Sequence, residues 1–389
     1  MQLSLQLKLL KKKINFLRHS FFLMYMQLII VVNKGVEEIA STEVEELIKT
    51  KSKVEDTVLN ITIKEKDIAK LCYFGQSFLK VLMLLKKGSI KSPDDIVLDM
   101  DLSKYVKKIK TFGVECTRLG EHTFNSVDVE SKLIHIIGEA HNIEFTHENP
   151  DIIFAVYIYK DNYYFGIDLI GFDSSKRTYK IYNTPNSFKG TIGYAIARES
   201  NFSNKKSLLI TNSKDGVIPI EAACFASKLS VNYYNKDKFI FPKYSFLKTS
   251  PLEKLDKKPS TPNIHALDPS NHNLSLMKKN AKIAGVDKHL KFSRMDLQWL
   301  DTKFDKASMD CIIGHLPAIS KHKTENEIKK VYNEFFHQCS YIKKPKGTII
   351  TVTQRIDLLK ESAIAHKLKV KKEKIFEQGQ TSFHILTFS

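Results

Sequence analysis

The chain has 389 residues, 42% of them hydrophobic, and a formal net charge of +18. That length leaves room for two or three domains with cores of their own, and that apolar share excludes a wholly disordered or fibrous chain. The positive balance favours a polyanionic partner such as RNA, although a lysine-rich surface alone would give the same number.

Residues 1–25 read as an extension. Lys8, Lys11, Lys12, Lys13 and Arg18 precede the apolar run Phe21–Val32. No small-residue cleavage site follows the run, and it is too short to span a bilayer, so membrane attachment is not expected. Met24 and Met26 suggest an over-extended start, with 27–32 as a buried first strand. A helix over 35–49, a strand at Val58–Ile63, a helix at Ile68–Cys72 and a strand at Ser77–Leu85 complete a small α+β unit, 26–98. A second unit, 99–175, is predicted from a helix at Leu102–Ile109 and a strand at Phe112–Thr117. Its helix Val127–Glu139 would be capped by Ser126, and strands Ile152–Tyr159 and Tyr163–Leu169 flank a Lys160-Asp161-Asn162 turn.

Residues 176–200 read as a polar linker and then a helix, Phe188–Glu199. From 201 to 389 strands and helices alternate: Leu208–Thr211, a helix from Pro219, Ile264–Leu267, Leu274–Ala284, Lys291–Ser293, Met309–Ile313, Thr324–Gln338 and Gly347–Thr353. That alternation predicts a parallel, doubly wound α/β sheet. Leu368–Glu377 and Ser382–Thr387 would close it as an antiparallel pair. Residues 235–262 hold four prolines and form a loop-rich insertion. The five cysteines are scattered without C-x-x-C spacing, and the histidines show no H-E-x-x-H pattern. No metal is assigned, and the cysteines read as small buried side chains in a reducing, cytoplasmic compartment.

Phe112–Val129, FGVECTRLGEHTFNSVDV, carries Arg118, Gly120, His122, Phe124 and Ser126 between a strand and a helix. This pattern resembles the THUMP domain of tRNA-modifying proteins. NKGVEEIASTEVEEL resembles the start of the ferredoxin-like domain that precedes THUMP, and LIGFDSSKRTYKIYN its basic exit, with Lys176 and Arg177. The resemblance covers about 26–200 and implies binding to the single-stranded 3′ end of tRNA. The residue chemistry agrees. Arg118 can fork onto a phosphate, the helix start at Ser126 offers N–H groups to an anion, and His122 or Phe124 could stack on an unpaired base.

The C-terminal part resembles the class I RNA guanine-N2 methyltransferases, with a Rossmann-like fold and S-adenosylmethionine as cofactor. In LLITNSKDGVIPIEAA, Gly216 and Glu221 match the cofactor turn and its helix. In HALDPSNHNLSLMKKNAKIAGV, Asp268 matches the acid that takes ribose hydroxyls, and Asn280–Val286 is a close textual match. Asp296 matches the acid that meets the adenine amine. The departures are as informative. The acid of the first strand has become Ile210, and two small loop residues have become Lys214 and Asp215. The acceptor-Pro-Pro-aromatic tetrad has become His315-Leu316-Pro317-Ala318. His315 and Pro317 are the expected catalytic positions; a neutral histidine can still accept one hydrogen bond, whereas Ala318 cannot stack on a base. Two expectations follow: a divergent tRNA guanine-N2 methyltransferase, or a non-catalytic or chaperone-like tRNA-binding protein with a degenerate methyltransferase domain.

Overall fold

The computed structural model describes residues 25–185, 187–317, 324–353 and 356–389. Residues 1–24 of the N-terminal extension and Ala318 lie outside the described residues.

In chain order the elements are β1 Tyr25–Val32, α1 Glu37–Ile48, β2 Lys53–Glu55, β3 Val58–Lys64, α2 Ile68–Phe74, β4 Phe78–Ser89, α3 Ser103–Val106, β5 Thr111–Leu119, α4 Ser126–His141, β6 Glu144–Phe145, β7 Ile152–Tyr159 and β8 Asn162–Asp168. After a connecting segment come α5 Gly190–Glu199, β9 Ser207–Thr211, α6 Val217–Ser227, β10 Asn263–Asp268, α7 Asn271–Ile283, β11 Lys291–Arg294, α8 Leu300–Lys303, β12 Met309–His315, α9 Glu325–Ile342, β13 Lys343–Thr353, α10 Ile356–Ala365, β14 Val370–Gln378 and β15 Thr381–Phe388.

The first eight strands form one sheet in the order β2-β3-β1-β4-β8-β7-β5-β6. The two units expected from the sequence share it, because β4 pairs antiparallel with β8 from Leu82↔Asp168 to Ser89↔Asn162. One face carries the main N-terminal core, with Leu28, Ile30, Leu133 and Phe165 fully or almost fully buried. Strand β7, IIFAVYIY, is buried on both faces and is apolar throughout rather than alternating.

The second sheet has the order β11-β10-β9-β12-β13-β15-β14. Strands β9 to β13 run parallel, and β15 and β14 are antiparallel to their neighbours. The chain steps from β9 outward to β10 and β11, then returns to β12 on the other side of β9. Such a reversal opens a crevice at the carboxyl ends of the strands, which is where ligands bind in open α/β sheets.

The linker and the insertion both differ from solvated connections. Tyr179 and Arg177 are buried within the connecting segment. Phe239, Phe241, Tyr244 and Leu252 of the insertion join the N-terminal core. The Tyr244 hydroxyl donates to the Asp168 carbonyl at 2.6 Å. Gly35 (φ 87°) lets the β1–α1 turn approach β14: a Cβ there would stand 1.9 Å from the Ile375 carbonyl oxygen. The two halves therefore pack as one body at this contact.

Candidate functional site at the carboxyl ends of the second sheet

The crevice is built from three strand ends. Thr211 of β9 is level with Gly314 of β12, which places the β9–α6 loop beside His315. On the other side, Ala266 of β10 pairs with Ile210, and Asp268 follows two residues later. The loop is a tight left-handed turn: Asn212, Lys214 and Gly216 have φ of 52°, 49° and 89°. Only glycine takes this region without steric cost, and it does so at Gly216, where a Cβ would come 2.6 Å from Met277. Lys214 adopts the same region with a full side chain, a local strain of about 1 kcal/mol.

Asp268 is 2% exposed. Its Oδ2 accepts from the Lys214 amide at 2.8 Å, and its Oδ1 from the Ser270 amide and the Asn273 side chain, each at 3.0 Å. The acid thus also braces the turn. Met295 donates to the Asp268 carbonyl at 3.2 Å, and this leads the chain to Asp296, exposed at the rim. Asp215 is buried and bonded to the connecting segment. It accepts from the Ser187 hydroxyl and, at 3.4 Å, from the Thr184 amide. Asn280, within the close textual match, ties the same region together, donating to the carbonyls of Tyr182 and Asp215 at 2.8 and 2.9 Å.

His315 sits at the end of β12, its ring 4.6 Å from that of Phe188, which in turn meets Phe383 at 4.9 Å. Burial, reinforced by Lys214, lowers the imidazole pKa to about 3, so the ring is neutral. Burial also lowers the pKa of Lys214. The Lys214 Nζ lies 3.3 Å from His315 Nε2. A neutral imidazole has one lone pair, and here the lysine donates to it. The carbonyl of Pro317 is engaged as well, accepting from the Tyr332 hydroxyl at 2.7 Å.

Glu221 is displaced from the role expected of it. It is a fully buried residue of α6 and pairs with Arg177 at 2.7 Å, with Tyr179 at 2.7 Å and with Gln76 at 2.8 Å. Arg177 also donates to the carbonyls of Ser174 and Gln76. A guanidinium with these partners is unavailable to RNA, and a carboxylate with these partners is unavailable to a cofactor. Lys176, beside it, is exposed and only 3.8 Å from Asp173.

At the other expected surface, His122 Nε2 donates to the Lys160 carbonyl at 2.7 Å. That leaves Nδ1 as the acceptor for Arg118, at 3.1 Å. The guanidinium lies 5.9 Å from the centroid of Phe124, and the His122 and Phe124 rings are 5.1 Å apart. Phe124 is 8% exposed and belongs to the core, so it supports Arg118 and offers no open face to a base. The Arg118 Nε is buried without a partner among the described residues. Ser126 is not the cap of α4. Asn125 is, in a capping box with Asp128 at 3.0 and 2.8 Å, and the acid in the first turn weakens the pull of this helix end on a phosphate.

A family model described as "RMKL-like, methyltransferase domain" matches residues 177–383, more than half of the chain. The chain belongs to the RMKL-like methyltransferase family. A THUMP domain model matches residues 94–168. A tRNA (guanine(6)-N2)-methyltransferase of Methanocaldococcus jannaschii is 25% identical over 370 residues, covering 90% of this chain and 96% of its own. A protein of the same description from Archaeoglobus fulgidus is 23% identical over 368 residues, covering 91% and 90%. Among solved structures, SMU.472 complexed with SAH has a TM-score of 0.76 at 17% identity, covering 94% of this chain and 98% of its own. TrmN from Thermus thermophilus has a TM-score of 0.68 at 18% identity, covering 94% and 99%. Together with the two family models, these structures show the fold: a THUMP-bearing N-terminal part followed by a class I methyltransferase-like α/β domain.

An RMKL-like methyltransferase uses S-adenosylmethionine, and the crevice meets that molecule unevenly. The adenosine end fits: Asp268 presents a buried carboxylate at the end of β10, and two adjacent hydroxyls suit one carboxylate. The methionine end does not fit this conformation. The Lys214 side chain already reaches across from the β9–α6 turn to His315 at the end of β12. An ammonium would also repel a sulfonium at this range.

Phe188, Asn273 and Tyr332 were not singled out by sequence reasoning. Phe188 had a signal of sorts, as an apolar residue just before a helix, but its contact with His315 spans 127 positions of sequence.

Proposed function

We propose that the protein binds tRNA through its THUMP-bearing half and methylates the exocyclic N2 of a guanine at the crevice of the second sheet. The observation that carries this reading is the convergence of Asp268, the Gly216 turn and His315 at the topological switch point. Family membership and the substrates named for the archaeal relatives support the same reaction. The THUMP match supports docking of the single-stranded 3′ end of the tRNA.

In this reading His315 orients the base. A ring that stays neutral to about pH 3 accepts a hydrogen bond from the amine but is a poor proton acceptor. The proton lost on methylation would therefore leave to water. Arg118, with Lys176 on the rim, is the residue proposed to meet the RNA backbone.

The contact between Lys214 and His315 favours a second reading, a tRNA-binding protein that no longer methylates. One experiment separates the two. The native chain is incubated with radiolabelled S-adenosylmethionine and unmodified tRNA, intact or trimmed of its 3′ overhang, and nucleosides are analysed. The first reading expects N2-methylguanosine, abolished by Asp268→Ala and reduced at least tenfold on trimmed tRNA. Binding of intact tRNA without any methylated product would establish the second.

A further inference from the structure

The β9–α6 turn of a close-approach site normally leaves room for a ligand against its backbone. Here one residue of the turn returns its own side chain to the catalytic strand end. Three observations bear on Lys214 independently. Its backbone holds a left-handed φ of 49°, a conformation that suits glycine. Its amide is locked onto the ribose acid Asp268 at 2.8 Å. Its ammonium reaches His315 Nε2 at 3.3 Å.

The amide bond and the left-handed backbone fix where the side chain starts, and the histidine fixes where it ends. The lysine therefore spans the crevice from the adenosine side to the base side. Lys214 forms no ion pair within 4.0 Å among the described residues; Asp215 and Asp268 act on its ammonium only from farther away, and burial outweighs them. Asp215, its neighbour, is engaged with Ser187 and Thr184 instead.

We propose that Lys214 is a built-in occupant of the methionine end of the cofactor site, a gate that sets cofactor affinity by competing for the same space, while its ammonium holds the His315 lone pair that the guanine amine would need. This deepens the methyltransferase reading and rests on it for the identity of the ligand. The gate has a steric part, the side-chain length, and an electrostatic part, a cation where a sulfonium must lie. Both are absent in S-adenosylmethionine sites built on glycine at this turn.

The test is calorimetric titration of the full chain with S-adenosylmethionine and, separately, with its neutral demethylated product S-adenosylhomocysteine. Lys214→Gly removes the side chain at a position where glycine is at ease, and Lys214→Asn does so with a residue that also tolerates left-handed backbone. Both variants are expected to bind S-adenosylhomocysteine at least tenfold more tightly than the native chain. The gain for S-adenosylmethionine should be larger still, because only it carries the sulfonium charge. Far-ultraviolet circular dichroism and tRNA affinity should be unchanged, which reports folding.

Folded variants with unchanged affinity for both ligands would overturn the gate. Weaker binding in the variants would overturn it too, since Lys214 would then be a ligand for the cofactor carboxylate. Failure of the broader reading shows elsewhere: the variants would bind the cofactor more tightly and still make no N2-methylguanosine.

Discussion

His315 illustrates how one residue is reset by its surroundings. On the surface its imidazole would titrate near pH 6.5; packed against Phe188 and facing Lys214, it stays neutral down to about pH 3. The folded value lies below the unfolded one, so between these limits the unfolded chain takes up a proton that the native chain refuses. The stability tied to a neutral His315 is present above about pH 6.5 and is lost as pH falls, at up to about 1.4 kcal/mol per pH unit. His315→Asn removes this dependence. Urea unfolding of native and variant chains between pH 7 and pH 5 should therefore show the native chain losing stability faster. Parallel curves would contradict a ring that stays neutral in the folded chain.

At the scale of elements, α4 is the helix on which the THUMP surface depends. Its start is fixed by the reciprocal bonds of Asn125 and Asp128, and Glu130 in its second turn accepts from the Cys116 amide of β5 at 2.7 Å. The helix thereby pins the strand that carries Arg118. Removing the cap by Asn125→Ala should cost about 1 kcal/mol, read as a lower thermal unfolding midpoint together with faster amide exchange in the first turn of α4. An unchanged midpoint would mean that the cap is redundant. The β9–α6 turn is set in a comparable way, by Asp268 bonding the Lys214 amide and Asn280 the Asp215 carbonyl.

At the scale of the whole molecule, the halves are joined by a buried polar knot. Arg177 in the connecting segment pairs with Glu221 of α6, and Gln76 just before β4 bonds the same carboxylate. Glu43 of α1 accepts from the amides of Gln76 and Ser77 at 2.8 and 3.1 Å and has its pKa raised by burial. Such a pair adds little over apolar packing while intact, but removing one partner strands a buried charge. Arg177→Met should lower unfolding stability by about 3–5 kcal/mol, and the double variant Arg177→Met/Glu221→Leu should recover most of it. Guanidinium unfolding measures both. A single variant as stable as the native chain would show that the knot is solvated and that the two halves are free to move.

The sequence by itself determined the course of the chain and much of the crevice. Alternating strands and helices from 201 onward, the acid Asp268 after a strand and His315 after another follow from local pattern, because periodicity and turn chemistry act over a few residues. The departures at Ile210, Lys214 and His315 were equally visible as text. What only the tertiary structure decided is which charged groups remain available. Arg177 and Glu221 look like surface ligands in sequence, yet they neutralise each other 44 positions apart. Phe124 looks like a stacking ring and is core. The cap of α4 lies one residue before the one expected, since Asn125 competes with Ser126 through its own reciprocal acid. The single shared N-terminal sheet and the insertion folded onto it depend on partners distant in sequence. Lys214 shows the division most plainly: its presence is written in the chain, but its reach to His315, 101 positions away, exists only once β9 and β12 lie side by side.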